Sequence, residues 1–206
     1  YTASAYTALR GRFLCPIDSL PHSTMTIAIL SALPEEQHGL AQALVQRHTV
    51  QHAGRRFETG TLHGHSVVLA LSGIGKVAAA TTTAALIERF NAQSLVFTGV
   101  AGGMGEGVQV GDVVVANQFL QHDMDVRPLF TRWQVPGYAA PTFASDAALT
   151  QALLHAAQDC VQASTSWQEP LLNGLLPRAH CGLIASGDQF IVSSQTSTEI
   201  RQDLAA

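Results

Sequence analysis

The stretch TIAILSALPEE, residues 26–36, decides the fold class. Its first part, Thr26 to Ala32, is an almost unbroken apolar run of strand length, the pattern of a strand covered on both faces. Pro34 follows closely, with Glu35 and Glu36 behind it. Proline fits a first helical turn, and carboxylates there face the positive end of the helix dipole. The spacing predicts a strand that runs directly into a helix continuing to about Arg47. A buried strand feeding a helix is the opening unit of an α/β sheet.

Outward from this stretch the alternation repeats. Arg56–Thr61 and His65–Leu71 read as two strands joined by Leu62-His63-Gly64, a hairpin signal. Ser72-Gly73-Ile74-Gly75-Lys76 is a glycine turn, and the alanine- and threonine-rich Val77–Arg89 reads as a helix. Ser94–Thr98 is a further buried strand, ending in Gly99-Val100-Ala101-Gly102-Gly103. Val108–Ala116 is β-rich, with a Gly111-Asp112 turn inside it. Residues 121–143, punctuated by Pro128, Pro136, Gly137 and Pro141, form a long irregular segment of the kind that often carries function. Ser145 is placed to N-cap a helix from about Asp146 to Gln162. Residues 163–177 read as a second loop, and His180–Ala185 as a strand ending in Ser186-Gly187-Asp188. The expected architecture is one α/β domain over residues 25–206, a mixed, mostly parallel twisted sheet flanked by helices. Residues 1–24 stand before it as an N-terminal extension without an assigned role.

Composition narrows the classes of function. The chain has 206 residues, 47% of them hydrophobic and 13% charged, enough apolar surface for a sizeable core and too little charge for a disordered chain. The net charge is −4 and no basic stripe or Lys/Arg run occurs, which argues against a nucleic-acid partner. No apolar run approaches the ~18 residues of a membrane span, and residues 1–24 lack the apolar core of a secretory signal. Cys15, Cys160 and Cys181 are odd in number and widely spaced, as expected of free thiols in the cytoplasm.

In open α/β sheets ligands sit beyond the carboxyl ends of the strands. Here those ends carry Glu35/Glu36, Gly73–Gly75, Gly99–Gly103 and Ser186–Asp188, four sets expected to converge on one crevice. Position alone does not choose between the two glutamates: one stabilises the first helical turn, while the other can face the crevice as a general base. Gly73-Ile74-Gly75-Lys76-Val77-Ala78 matches the dinucleotide fingerprint formally, but the next strand ends in Phe97-Thr98-Gly99 without the required carboxylate. Gly75-Lys76 is no phosphate-binding P-loop either, since Ala70 and Val77 stand where a glycine and a Ser/Thr are needed. His63 and His65 flank the hairpin turn and read as exposed turn residues. His122-Asp123-Met124-Asp125 lacks a second His/Cys cluster, so no metal is expected.

Read together, these pieces resemble the 5′-methylthioadenosine/S-adenosylhomocysteine nucleosidases of the nucleoside phosphorylase/hydrolase superfamily. The resemblance is carried by Ala-Leu-Pro-Glu-Glu at 32–36, Ser-Gly-Ile-Gly-Lys-Val-Ala-Ala-Ala at 72–80 and Thr-Gly-Val-Ala-Gly-Gly at 98–103. Val-Gly-Asp-Val-Val-Val at 110–115, His-Asp-Met-Asp-Val at 122–126 and Ser-Gly-Asp-Gln-Phe-Ile at 186–191 complete it. It implies a nucleoside phosphorylase-like fold and hydrolysis of the N-glycosidic bond of 5′-methylthioadenosine and S-adenosylhomocysteine, with release of adenine. It implies that Glu36 activates the attacking water, that Ile74, Val100, Ala101 and Gly102 line the ribose and purine region, that Phe190 stacks on adenine and that the Ile191 backbone hydrogen-bonds the base. No metal and no redox cofactor is implied. The partners implied are a small-molecule nucleoside and a second copy of the chain, whose site residues near Leu129 and Phe130 would reach.

Two departures from the family pattern matter. Phosphorylases of the superfamily carry a phosphate-binding arginine just before the glycine-rich strand end. Phe97 holds that place here, which favours hydrolysis over phosphorolysis. The family pattern also continues past the Phe-Ile motif with a Met-Glu pair and a Ser-Asp dipeptide bearing the leaving-group acid. Ser145-Asp146 and Glu199 do not match them. The domain is therefore expected to be C-terminally incomplete, the sequence being part of a longer chain; an intact mass above that of these 206 residues supports this. The competing readings are a purine nucleoside phosphorylase or another nucleosidase of the superfamily, a catalytically impaired nucleoside-binding protein, and a nicotinamide-dependent oxidoreductase.

Overall fold

The computed structural model describes residues 3–9, 25–163, 176–191 and 193–205. The chain divides into two compact units, Ala8–Gly99 and Tyr1–Thr7 with Val100–Ala206. The fold is mixed α/β, as the sequence implies. Within the N-terminal extension, Ala3–Leu9 form a strand, β1.

In the unit Ala8–Gly99, the opening stretch gives strand β2 (Thr26–Ser31), a 3₁₀ turn (Pro34–Glu36) and a short helix α1 (His38–Ala43). β3 (Val45–His52), β4 (Arg55–Leu62) and β5 (His65–Leu71) follow, then helix α2 (Lys76–Phe90) and strand β6 (Ala92–Ala101). The strand order is β3-β4-β5-β2-β6. β2 lies parallel to both β5 and β6, while β3-β4 and β4-β5 are antiparallel. The apolar run at the start of the sequence is explained by burial on both sides of β2. Ala28 and Leu30 join Phe57, Val68, Ala70, Leu95 and Leu86 of α2 in one core. Ile27 and Ile29 face the other way, packing with Leu40 and Ala41 of α1 around Leu44, Val67 and Leu69. The β4–β5 hairpin turns at His63 and Gly64, both at positive φ (48° and 83°), the backbone of a two-residue turn matched to strand twist. His63 and His65 are exposed.

The expected helix to Arg47 is corrected: α1 ends at Ala43 and the chain enters β3. Only Leu40, Ala41 and Leu44 have apolar neighbours to pack against on the helical side. Beyond them Val50 packs toward the Phe57 core, and β3 finds its backbone partners on β4 at Thr49↔Glu58 and Val50↔Phe57. A second tight turn, Ala53-Gly54, links β3 to β4.

In the other unit, β7 (Val113–Gln121) pairs in parallel with β1 and β9 (Ala179–Ser186), and antiparallel with the short β8 (Thr142–Ala144). Helix α3 (Ala147–Ala163) packs on β7 and β9, and α4 (Ser194–Ala205) follows. Two boundaries are corrected. The strand expected over Val108–Ala116 begins only at Val113, because Val108–Asp112 is folded into turns closed by Val108 N–H to Gly105 O and Asp112 N–H to Gln109 O. The cap of α3 is Asp146 rather than Ser145: its Oδ1 accepts the Leu149 N–H at 2.9 Å. Ser145 Oγ instead meets Thr150 Oγ1 at 2.6 Å, and Thr150 donates to Ala116 O of β7, tying helix to strand. The loop expected at 163–177 lies mostly outside the described residues, as does Cys15.

Candidate active site

Because β5, β2 and β6 run parallel, their carboxyl ends share one edge of the unit Ala8–Gly99. The 3₁₀ turn after β2 separates the two glutamates by exposure. Glu35 is exposed, whereas Glu36 is half-buried and turned back on the strand end. Glu36 Oε2 accepts the N–H groups of Ala32 (2.9 Å) and Leu33 (2.8 Å), as the reaching-back acid of a capping box does. Those two donors fix the carboxylate plane and leave Oε1 turned toward Gly99 of β6. A Cβ on Gly99 would lie 3.0 Å from Glu36 Oε1 and 3.0 Å from Phe97 Cε1, so the carboxylate approaches backbone that only glycine leaves open.

Gln37, next in sequence, is buried and straps the strands that present this edge. Its Nε2 donates to Ile29 O of β2 (3.0 Å) and Ala70 O of β5 (3.1 Å). At the end of β5, Ser72 N–H donates to Ser31 O, and the turn passes through Gly73 (φ 75°) and Gly75 (φ 104°) into α2. Arg55 holds this turn from behind, donating to Ser72 O and to Thr81 Oγ1 of α2, both at 2.9 Å. Ile74, between the two glycines, is 77% exposed. Val100 and Ala101 are the last residues of β6 and Gly102 follows; Val100 is exposed and Ala101 half-buried.

In the other unit the ends of β7 and β9 are joined to each other. Pairing runs to Gln121↔Ser186, and His122 N–H donates to Ser186 O at 3.0 Å. Asp123 Oδ2 accepts the Asp188 N–H at 2.9 Å. The His122 ring lies so close to Gly187 that a Cβ there would overlap it. Trp133 Nε1 donates to His122 O (3.1 Å), fastening the irregular 121–143 segment at the same place. This joint carries Phe190, which is 87% exposed, and the half-buried Ile191. Leu129 and Phe130 are exposed on the irregular segment. The Asp125 carboxyl pairs with Arg127, whose guanidinium lowers its pKa to about 2.

Asp112 orders the loop between Gly102 and β7. Burial alone would raise its pKa, but the N–H groups of Gln109 and Arg178 and the His180 ring donate to it and hold the carboxyl below its ordinary value. Among the described residues no three His, Cys, Asp or Glu side chains form a metal-binding group.

The structure therefore sets Glu36 against Gly99, with Ile74 on a neighbouring strand end of the same edge. Val100, Ala101 and Gly102 continue from Gly99 along the chain. Phe190 and Ile191 lie beyond β9, on the His122–Asp123 joint. Reading the sequence missed Gln37, Arg55 and Asp123 as supports. The signal for Gln37 was its place one residue after the acid pair; Arg55 and Asp123 act across long sequence separations that carry no local pattern.

A family model described as the phosphorylase superfamily matches residues 26–206. The 5′-methylthioadenosine/S-adenosylhomocysteine nucleosidase of Bacillus thuringiensis (strain Al Hakam) is 38% identical over 178 residues, 86% of this chain and 71% of that protein. Among solved structures, the nucleosidase of the same description from Neisseria meningitidis, in complex with methylthio-immucillin-A, superposes with a TM-score of 0.76 at 36% identity, over 87% of this chain and 72% of that one. The corresponding enzyme of Colwellia psychrerythraea 34H, in complex with adenine, gives 0.72 at 33% identity, over 90% and 72%.

Proposed function

Because the chain belongs to the phosphorylase superfamily, we infer that it hydrolyses the N-glycosidic bond of 5′-methylthioadenosine and S-adenosylhomocysteine, releasing adenine. The relatives and structural neighbours are 5′-methylthioadenosine/S-adenosylhomocysteine nucleosidases, and some of the neighbours hold transition-state inhibitors. The observation that carries the chemistry is the Glu36 carboxylate, held by two backbone N–H groups with Oε1 turned to Gly99.

In this reading a water bonds to the anomeric carbon as the bond to adenine breaks, and the electron pair of that bond leaves with the base. Glu36 takes a proton from the water as it attacks, help worth ~10²–10⁴-fold in rate. Its two N–H donors keep the acceptor oxygen oriented without reorganisation. Ile74, Val100, Ala101 and Gly102 line the ribose and purine. Phe190 stacks on adenine and the Ile191 backbone hydrogen-bonds its edge; an apolar face beside backbone polar groups suits a flat heterocycle. Ile74 and Phe190 are large apolar side chains left open to solvent, which supports their roles.

The protein acts as a homodimer in the cytoplasm. Exposed Leu129 and Phe130 support an apolar contact with a second copy, and exposed thiols at Cys160 and Cys181 fit a reducing compartment. No helix among the described residues is long and apolar enough to cross a membrane.

The test is adenine release from 5′-methylthioadenosine with and without phosphate, for the wild-type protein and Glu36→Gln. Release independent of phosphate, lost by at least about 10²-fold in the variant, is expected. Phosphate dependence would assign the reaction to a phosphorylase, and full activity in Glu36→Gln would remove Glu36 from the mechanism.

A further inference from the structure

Arg47, Arg55 and Arg56 line one cavity of ≈ 520 Å³ within the unit Ala8–Gly99, between the β3–β4 hairpin and the turn at Ser72-Gly73. Pro34 and Gln37 form part of its wall, but Glu36, Ile74 and Gly99 do not line it. Among the described residues Glu58 is the only acidic one in the lining. Arg47, Arg56 and Glu58 share one face of the β3–β4 hairpin, whereas Arg55, next to Arg56 along β4, points to the opposite face and reaches Thr81 of α2. Two guanidiniums against one carboxylate leave a local positive excess on that face, in a chain whose net charge is −4.

Both guanidiniums are fixed from behind. Glu58 is buried, and its carboxylate accepts Arg47 Nε at 2.6 Å, Arg56 Nε at 2.5 Å and the Thr49 hydroxyl at 3.2 Å. Glu58 is thereby occupied in holding both arginines by their Nε edges. Arg47 Nη1 also donates to Ala41 O at 3.4 Å. Among the described residues the terminal nitrogens of Arg56 have no partner, and its side chain is 60% exposed. A guanidinium held by Nε still offers donors in a planar geometry that matches carboxylate and phosphate oxygens. Anchoring reduces the side-chain entropy lost when an anion is bound. The cavity lies within the size range of small-molecule sites.

We propose that the cavity bearing Arg47 and Arg56 is a second binding site, for a small phosphate- or carboxylate-bearing anion, separate from the edge that carries Glu36. It requires no turnover, so it stands or falls apart from the nucleosidase reading.

The test is calorimetric titration of the full chain with inorganic phosphate and, separately, succinate, at low and at high sodium chloride. Saturable binding of at least one anion, weakened by salt because the arginines are partly exposed, is expected. Arg56→Gln weakens it about tenfold, the equivalent of one lost charge-assisted contact. Arg89→Gln, at the far end of α2, and Glu36→Gln leave it unchanged. Tighter binding of phosphate assigns the site to phosphorylated ligands, and tighter binding of succinate to carboxylates. Absence of saturable binding by both anions overturns the proposal, as does wild-type affinity in Arg56→Gln. Loss of binding in Glu36→Gln alone would put the anion at the nucleoside site and overturn it equally. The thermal midpoint of Arg56→Gln, recorded alongside, shows that the variant is folded.

Discussion

Gly99→Ala tests the placement of Glu36 with a single methyl group. The added Cβ would lie 3.0 Å from Glu36 Oε1 and 3.0 Å from Phe97 Cε1. Comfortable contacts begin near ~3.5 Å, so each neighbour must give by about half an ångström. Glu36 yields only by stretching the bonds from Ala32 and Leu33, at 2.9 and 2.8 Å. Gly99 is not at positive φ, so alanine brings no backbone strain there and by itself would favour a strand by ~0.5–1 kcal/mol. Overpacking works against that by ~1–3 kcal/mol, leaving a net loss of about 1 kcal/mol and a Tm lower by about 2–4 °C. A reacting group misplaced by 1 Å costs about 10²-fold, so half that displacement implies about a tenfold fall in kcat for adenine release, with KM little changed. Gly99→Ala in a Glu36→Gln background should cost no further activity, because the methyl acts through the carboxylate. A lowered Tm with kcat intact would refute the reasoning: the packing would be right and the role of Glu36 wrong.

Gly187→Ala forces the His122 ring away from the β9 end, and with it the segment bearing Phe190. It should raise KM for 5′-methylthioadenosine several-fold with a smaller change in kcat, measured by steady-state adenine release. Phe190→Ala removes the stacking face. Base–aromatic stacking is worth ~1–3 kcal/mol, so adenine affinity by calorimetry should fall about 5- to 150-fold. Glu58 is held below its ordinary pKa, first by the hydrogen bond from Arg47 and further by Arg56. A carboxyl lowered in the folded state contributes stability above its unfolded pKa and loses it as pH falls through the folded value. Thermal denaturation across acid pH should therefore show a loss below the ordinary carboxylate range that is reduced in Glu58→Gln.

The α/β class, the β4–β5 hairpin, α2 and the strand ends were legible in the sequence because each rests on local chemistry. TIAILSA had to be covered on both faces, His63-Gly64 had to turn, and Gly73 and Gly75 had to take left-handed backbone. The order of the motifs along the chain likewise carries the resemblance to the family. β3 was not legible, since Val45–His52 is mostly exposed and becomes a strand only because β4 offers it partners. The cap of α3 was misread for a related reason: Ser145 and Asp146 are both good caps, and Ser145 is claimed by Thr150 from the next turn of the helix. The choice between Glu35 and Glu36 came from the motif register; what the fold adds is that Oε1 of Glu36 meets Gly99. Gln37 bonded to β5, Arg55 behind the Ser72 turn and Asp123 on Asp188 belong to the tertiary structure alone. Each of those contacts joins residues more than 15 positions apart, and no pattern along the chain records which distant backbone group a polar side chain will reach.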